Sequence, residues 1–293
     1  MDRLTIRAMA KVNLGLDVLR RREDGYHEVK MIMQTVDLYD ELELIKKDEP
    51  GISVFCDTAE LPCDEHNLIY KAVKHLTDFH KIPCGVEIAL KKKIPIAAGM
   101  AGGSTDAAAA LSGMNTLFSL GLSKDELAKI AVKIGADVPY CLYGGTYLSE
   151  GIGEILTPLP PAPDCYMVIA KPGIGVSTKY VYENLHIETV TRHPDIDGMI
   201  ETIRQNDLQK MAAKMENVLE TVTIKRYPEI DRMKKILLAN GALNALMSGS
   251  GPTVFALFTQ EESAKRALSE LSGTGLVKQG FVTKPARETC VIQ

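Results

Sequence analysis

Four short segments of this sequence carry residues whose types and spacing could do chemistry. The longest is Pro95-Ile96-Ala97-Ala98-Gly99-Met100-Ala101-Gly102-Gly103-Ser104-Thr105-Asp106, which runs on into Ala107-Ala108-Ala109-Ala110. Small residues let a backbone approach a ligand closely. Ser104 or Thr105 can cap the Ala-rich helix that follows, with Asp106 in its first turn. Free amides of a glycine loop at a helix N-terminus form an anion site suited to phosphates. The segment is not a Walker A loop, because no Gly-Lys-Ser/Thr closes it, and it does not match G-x-G-x-x-G in a βαβ unit. A tight turn before a buried Ala-rich helix is the competing reading.

The second segment is Gly135-Ala136-Asp137-Val138-Pro139-Tyr140-Cys141, followed by Gly144-Gly145-Thr146. Among small and apolar neighbours the Asp137 carboxylate can be partly desolvated and take a proton, or it can simply cap a turn. Ser248-Gly249-Ser250-Gly251-Pro252 again offers backbone amides, or a plain turn. Gly25-Tyr26-His27 follows the basic run Arg20-Arg21-Arg22, so Tyr26 and His27 can stack on and hydrogen-bond to a heteroaromatic base, or decorate a surface hairpin. No His/Cys/Asp/Glu cluster has metal-ligand spacing, so a metal would arrive with a nucleotide, as Mg²⁺ does when it bridges phosphates.

Periodicity supplies the elements that must position these groups. Over 12–18 apolar residues alternate (Val12, Leu14, Leu16, Val18), with Lys11, Asn13 and Asp17 on the opposite face. Lys11 and Asn13 therefore stand side by side on a face not committed to the core. Strands are expected at 28–36, 41–45, 86–90, 166–170 and 253–258. Ile69, Ala72, Val73, Leu76 and Phe79 make a helical stripe over 67–80, and a capping box at Ser123-Lys124-Asp125-Glu126 opens a helix ending near Gly135. Helices are expected at 195–205, 207–220 and 228–239, and Thr259-Gln260-Glu261-Glu262 offers a second capping box before a helix to Ser272. Strands and helices in non-alternating runs argue for α+β layers.

Length and charge narrow the possible ligands. A chain of 293 residues suggests about two domains, each able to bury a core without disulfides or structural metal. The Pro-rich stretch Pro158-Leu159-Pro160-Pro161-Ala162-Pro163 is the expected linker, dividing 1–160 from 161–293. Balanced charge (34 Lys+Arg against 38 Asp+Glu) with no block of like charge argues against a nucleic-acid partner, as does the absence of Trp. A small-molecule ligand fits better. Arg7 and Lys11 interrupt any signal-peptide core and no run of about 18 apolar residues occurs, so a cytoplasmic chain that neither spans nor binds a membrane is expected. Cys56, Cys63, Cys84, Cys141, Cys165 and Cys290 form no C-x-x-C pair and read as reduced, mostly buried thiols.

Taken together, Ala10-Lys11-Val12-Asn13-Leu14, Asp24-Gly25-Tyr26-His27, the loop from Pro95, the Gly135 segment and the Ser248 segment resemble the GHMP kinase superfamily, over nearly the whole chain. Their order and spacing are far more specific than any one motif. Asp24-Gly25-Tyr26-His27 resembles members that act on a cytidyl diphosphate alcohol and differs from mevalonate or homoserine kinases. The resemblance implies a two-domain α+β fold with the active site in the cleft between the halves. It also implies transfer of the γ-phosphoryl group of ATP, with Mg²⁺, to the 2-hydroxyl of 4-diphosphocytidyl-2-C-methyl-D-erythritol in the non-mevalonate isoprenoid pathway. It makes Asp137 the base and Lys11 its charged partner. It assigns Pro95, Ile96, Ala97, Ala98, Gly99, Met100, Ala101, Gly102, Gly103, Ser104 and Thr105 to the ATP phosphates, and Asn67 and Lys92 to the nucleotide's neighbourhood. Tyr26, His27 and Tyr182 would hold the cytosine, while Asn13 and Thr178, with Gly249 and Ser250 of the third motif, would line the substrate site. It names no Mg²⁺ ligands and no oligomeric state.

Many family members read Gly-Leu-Gly-Gly-Gly-Ser-Ser where this chain has Gly99-Met100-Ala101-Gly102-Gly103-Ser104-Thr105. Ala101 is strained if that position needs a positive φ, and Thr105 keeps a hydroxyl but adds a methyl. The alternatives are a GHMP relative acting on another alcohol, mevalonate-type or sugar, and a catalytically silent binding protein of the same fold.

Overall fold

A computed structural model describes residues 2–82 and 85–293, so the expectation for Cys84 falls outside the described residues. The chain forms strands β1 (Arg3–Arg21), β2 (His27–Lys47) and β3 (Ile52–Cys56), helix α1 (Leu68–His80), strand β4 (Gly85–Lys91), and helices α2 (Gly102–Leu117), α3 (Lys124–Ala131) and α4 (Val138–Tyr143). Strands β5 (Thr146–Gly151), β6 (Ile155–Pro158) and β7 (Tyr166–Pro172) follow, then helices α5 (Thr178–Glu183), α6 (Ile196–Arg204), α7 (Leu208–Ala213), α8 (Glu220–Arg226) and α9 (Glu229–Ala239). Strands β8 (Asn244–Met247) and β9 (Val254–Phe258), helix α10 (Glu261–Gly273) and strands β10 (Val277–Thr283) and β11 (Val291–Ile292) complete it.

Two sheets organise these elements. The first has seven strands in the order β11-β1-β2-β4-β3, with β5 on β2 and β6 on β5; the second runs β10-β7-β9-β8. Along β7 the period of two is clean: Val168 and Ala170 pack with α9 and α10, whereas Met167 and Ile169 share a second core with Val12, Leu14, Ile32 and α6. That second core joins the two sheets. Pro158 ends β6, and the chain then crosses to β7 with Ala162 buried and its amide donating to Thr146 Oγ1 at 3.0 Å. After β10 the chain returns, and Val291 and Ile292 pair with Arg7 and Ile6 of β1.

Strand β1 owes its functional face to two irregularities. Its pairing with β2 shifts register between Met9 and Ala10 and again between Asn13 and Gly15. Each shift turns the strand over. Leu4, Ile6 and Ala8 thus face the helix-side core, Ala10, Val12 and Leu14 face the second core, and Leu16 and Val18 face the first again. Between the shifts the odd-numbered Lys11 and Asn13 point towards the helices, and both are buried.

Several expectations need correction. The strands expected at 28–36 and 41–45 are one 21-residue strand, whose two halves pair with β5 and β4. Of the helix expected over 207–220 only Leu208–Ala213 forms, because β1 captures the segment that follows, before α8 begins at Glu220: Leu16 N–H donates to Glu216 O at 3.0 Å and Val218 N–H to Leu16 O at 3.0 Å. Helix α10 begins without a side-chain cap, since Gln260 is its extended N-cap residue and Thr259 lies outside it. Ser104 and Thr105 do not cap α2, which starts two residues earlier behind Ala101, so Asp106 falls beyond its first turn. The Ser123–Glu126 capping box is present, but α3 ends at Ala131. Only Cys141 and Cys165 are buried; Cys56 and Cys290 are half-buried and Cys63 is exposed, and all five are unpaired thiols.

Candidate active site

A cavity of about 1130 Å³ opens where the midsection of β1, the loop before α2, the start of α4, the β1–β2 hairpin and α5 converge. Its floor is ionic. The Lys11 ammonium lies 3.7 Å from Asp137 Oδ2, donates to Asn13 Oδ1 at 2.7 Å and approaches Gly99 O at 3.5 Å. Lys11 is buried, while the Asp137 side chain keeps 31% of its surface exposed. Asp137 occupies the N-cap position of α4 yet makes no capping hydrogen bond, so its carboxylate is free to face the cavity. A carboxylate beside a cavity, within hydrogen-bond reach of a bound hydroxyl, can accept a proton.

The glycine loop forms one wall. Pro95, Ile96, Ala97, Ala98, Gly99, Ala101, Gly102, Gly103 and Ser104 all line the cavity. Helix α2 starts with no side-chain cap, and its first-turn residues Gly102, Gly103 and Ser104 sit on the wall. Uncapped amides at a helix start, reinforced by the helix dipole, suit an anion. Gly99 has φ +73°, and a Cβ there would lie 2.1 Å from the carbonyl oxygen of Ser248, so only glycine fits. Ser248 Oγ donates to Gly99 O at 2.8 Å, which ties this loop to the third glycine segment. Ala101 adopts φ +55°, so the strain foreseen for a side chain at this position is present.

The far end of the cavity is aromatic. His27 and Tyr182 pack with ring centroids 5.1 Å apart, and Tyr26 at the hairpin tip is 62% exposed. Burial, helped by the Arg21 charge, lowers the His27 pKa, so its imidazole is neutral at neutral pH. Burial pushes the Tyr182 phenol up. Thr178, the first residue of α5, shares a 2.8 Å hydrogen bond with Ser250, and Thr178, Gly249, Ser250 and Asn13 all line the cavity.

Three sequence-predicted residues have their side chains off the wall. Asn67 caps α1, its Oδ1 accepting from Ile69 N–H at 2.8 Å and its Nδ2 donating to Pro62 O at 2.6 Å, so its polar atoms are already spent. Thr105 Oγ1 donates to Met9 O at 2.7 Å, which spends the hydroxyl on β1. The Met100 side chain is buried in the second core, though its carbonyl accepts from Lys11 N–H at 3.2 Å. Lys92 does line the cavity, but its ammonium is ion-paired with Asp40 and Asp106.

The sequence reading missed Asp40, Asp106 as a partner of Lys92, and Asn217, whose Nδ2 donates to Met247 O and Gly249 O at 2.8 Å each. Asp40 left a signal: it heads the inward stripe Asp40, Leu42, Leu44, all buried, the two leucines in the helix-side core. A side-chain cluster close enough to share an ion, Asp64, Glu65 and His66, does exist, contrary to expectation, but it is exposed and off the cavity. On the wall the carboxylates are Asp137, Glu183 and Glu188. The Asp137 carboxylate and the Ser104 hydroxyl, both on the wall, are hard oxygen donors of the kind that would hold a Mg²⁺, which would supply charge neutralisation at a bound phosphate.

Known proteins resemble this chain over nearly its whole length. Residues 67–145 match the GHMP kinases N terminal domain and residues 199–275 the GHMP kinases C terminal domain. A 4-diphosphocytidyl-2-C-methyl-D-erythritol kinase of Lachnoclostridium phytofermentans is 54% identical over 97% of this chain and 98% of its own. One of Geobacillus kaustophilus is 50% identical over 92% of this chain and 93% of its own. The crystal structure of a 4-(cytidine 5'-diphospho)-2C-methyl-D-erythritol kinase superposes with a TM-score of 0.83 at 31% identity, covering 96% of this chain and 99% of the other. With the Lys11–Asp137 floor, the uncapped glycine loop and the aromatic end in one cavity, the chain belongs to the GHMP kinases and, within them, to the family of the 4-diphosphocytidyl-2-C-methyl-D-erythritol kinases.

Proposed function

We propose that this chain transfers the γ-phosphoryl group of ATP to the 2-hydroxyl of 4-diphosphocytidyl-2-C-methyl-D-erythritol, in the cytoplasm, as a step of the non-mevalonate route to isoprenoid precursors. The observation that carries the chemistry is the Lys11–Asp137 pair at 3.7 Å, between an uncapped helix start and an aromatic pocket. The chain's relatives at about half identity carry the substrate assignment.

Phosphoryl transfer passes through a loose transition state, so positioning and charge neutralisation contribute more than strong base chemistry. The acceptor hydroxyl gives its proton to Asp137 Oδ2 as its oxygen bonds to the γ-phosphorus; the bond from that phosphorus to the β–γ bridging oxygen breaks and ADP leaves. Lys11, 3.7 Å from Asp137, stabilises the developing alkoxide with its positive charge. Asn13 orients Lys11 through its 2.7 Å bond. The amides of Gly102, Gly103 and Ser104 hold phosphate oxygens, and Mg²⁺, when bound, neutralises the remaining phosphate charge. Tyr26 and Tyr182 pack against the cytosine, and the neutral His27 imidazole hydrogen-bonds to it. Residues 1–160 and 161–293 act as two domains contributing to this one cleft, the ligand is small, and no nucleic acid or membrane takes part.

A coupled ADP-release assay with 4-diphosphocytidyl-2-C-methyl-D-erythritol, mevalonate and homoserine as acceptors tests the reading. Turnover with the first alone is the expected result. Turnover only with another alcohol would reassign the substrate and leave the fold intact.

A further inference from the structure

The glycine loop leaves β4 at Lys92 and enters α2 before Asp106, and these two stems meet in one buried ionic cluster. Lys92 Nζ bonds Asp106 Oδ2 at 2.8 Å and also bonds Asp40 Oδ2 on β2. The three side chains expose 6%, 3% and 0% of their surface for Lys92, Asp106 and Asp40. Asp40 Oδ1 accepts the amides of Lys93 at 2.5 Å and Ile94 at 2.7 Å, the first two residues after the lysine. Asp106 Oδ1 is buried and has no partner among the described residues. A Cβ on Gly102 would lie 2.9 Å from Lys92 Nζ, so the ammonium supports the loop from directly beneath a phosphate-facing residue.

We propose that Asp40 and Asp106 are positioning residues for the nucleotide: with Lys92 they close the base of the phosphate loop and hold its amides in place, without touching the ligand. This rests on the assignment of that loop to ATP. Two carboxyls face one ammonium. Burial raises the Asp106 carboxyl well above the usual range; the Lys92 charge opposes this and the Asp40 charge adds to it. Burial works against the Lys92 charge, but the two carboxyls more than offset it, so the lysine stays protonated. Of the two carboxyls around this one ammonium, Asp106 is the one whose burial, with the Asp40 charge, favours the protonated form.

Removing one partner of a buried ion pair leaves the other uncompensated, and here the strain falls on the loop. Steady-state kinetics on the intact chain with both substrates varied, plus the thermal shift given by ATP, test the idea. Wild-type turnover with ATP confirms the nucleotide assignment independently; if it is absent, that assignment fails and not the clamp. Asp40→Asn and Asp106→Ala are expected to raise KM for ATP about tenfold or more, with KM for the alcohol within twofold, while Asp106→Asn, shaped like the protonated acid, recovers most of the loss. Asp40→Asn/Lys92→Met, which removes both charges, covers failure of Asp40→Asn to fold, and a raised KM for ATP is expected there too. An unchanged KM for ATP in folded Asp40→Asn and Asp106→Ala, an equal rise in both KM values, or Asp106→Asn as damaging as Asp106→Ala would each overturn the proposal.

Discussion

The ammonium of Lys11 lies 3.7 Å from Asp137 Oδ2, joining a strand near the N-terminus to the N-cap residue of a helix far along the chain. One partner is buried and the other reaches into the cavity. Asp137 thus keeps carboxylate surface open to a ligand, while the Lys11 ammonium is enclosed by protein. Asp137→Asn keeps the shape and removes the base. It should lower kcat by about 10²–10⁴-fold with KM for ATP little changed. Lys11→Met should also lower kcat, and the double variant should be scarcely worse than the poorer single one, because the two act as a unit. Rates from ADP release decide this; Asp137→Asn with kcat within tenfold of the parent would remove Asp137 from the mechanism.

The packing of His27 on Tyr182 predicts where acceptor affinity resides. His27→Ala removes both a stacking surface and a hydrogen-bonding edge. KM for the cytidyl acceptor should rise by about tenfold, the worth of one good base contact, while KM for ATP stays put. The same variant assayed against both substrates checks it, and a proportional rise in both would point to a general loss of structure.

A pH effect follows from the same imidazole. Burial and the nearby Arg21 charge lower the His27 pKa below 6.5, so the folded protein prefers the neutral ring. A ring harder to protonate than a free imidazole stays neutral in the folded enzyme above pH 6.5 and gains its proton only on acidification below that value. KM for the acceptor should therefore be flat from pH 6.5 to 8 and rise only on acidification, and His27→Ala should abolish the acid limb. A parent enzyme whose acceptor KM rises between pH 8 and 7 would contradict the neutral-imidazole reading.

How far the sequence disclosed this site depends on the kind of signal each residue leaves. Lys11 and Asn13 were legible as neighbours because alternation is local. Their orientation was not, since the two register shifts in β1 that aim them depend on pairing with β2. The small residues of the loop marked a phosphate site, but Thr105 and Asn67 had other obligations, to Met9 O and to the start of α1, that only packing reveals. The single helix read over 207–220 failed for a similar reason: a helical pattern yielded to backbone bonds from Leu16. Asp40 was the reverse case, an inward polar residue in an apolar stripe, readable in principle from period two alone.

Ala101 and Gly99 sit two residues apart in the phosphate loop, both with positive φ, and single-methyl changes there should act in opposite directions. Ala101 pays for its left-handed backbone, a strain of roughly 1–2 kcal/mol for a residue with a Cβ. Ala101→Gly relieves that strain and returns part of the gain as unfolded-chain entropy, leaving about 1 kcal/mol and a Tm rise of about 2–4 °C, with kcat little changed. Gly99→Ala adds the methyl where a Cβ would lie 2.1 Å from Ser248 O, a backbone atom that cannot swing aside. The loop or the third glycine segment must move, and the bond from Ser248 Oγ to Gly99 O goes with it. Turnover with ATP should drop by about 100-fold or more, since displacing a preorganised phosphate cradle by an ångström is enough for that loss. Melting curves and KM for ATP on the two variants together decide the matter. A large rate gain in Ala101→Gly would show that the alanine restrains catalysis, and near-normal turnover in Gly99→Ala would show that the loop is not held by the third segment.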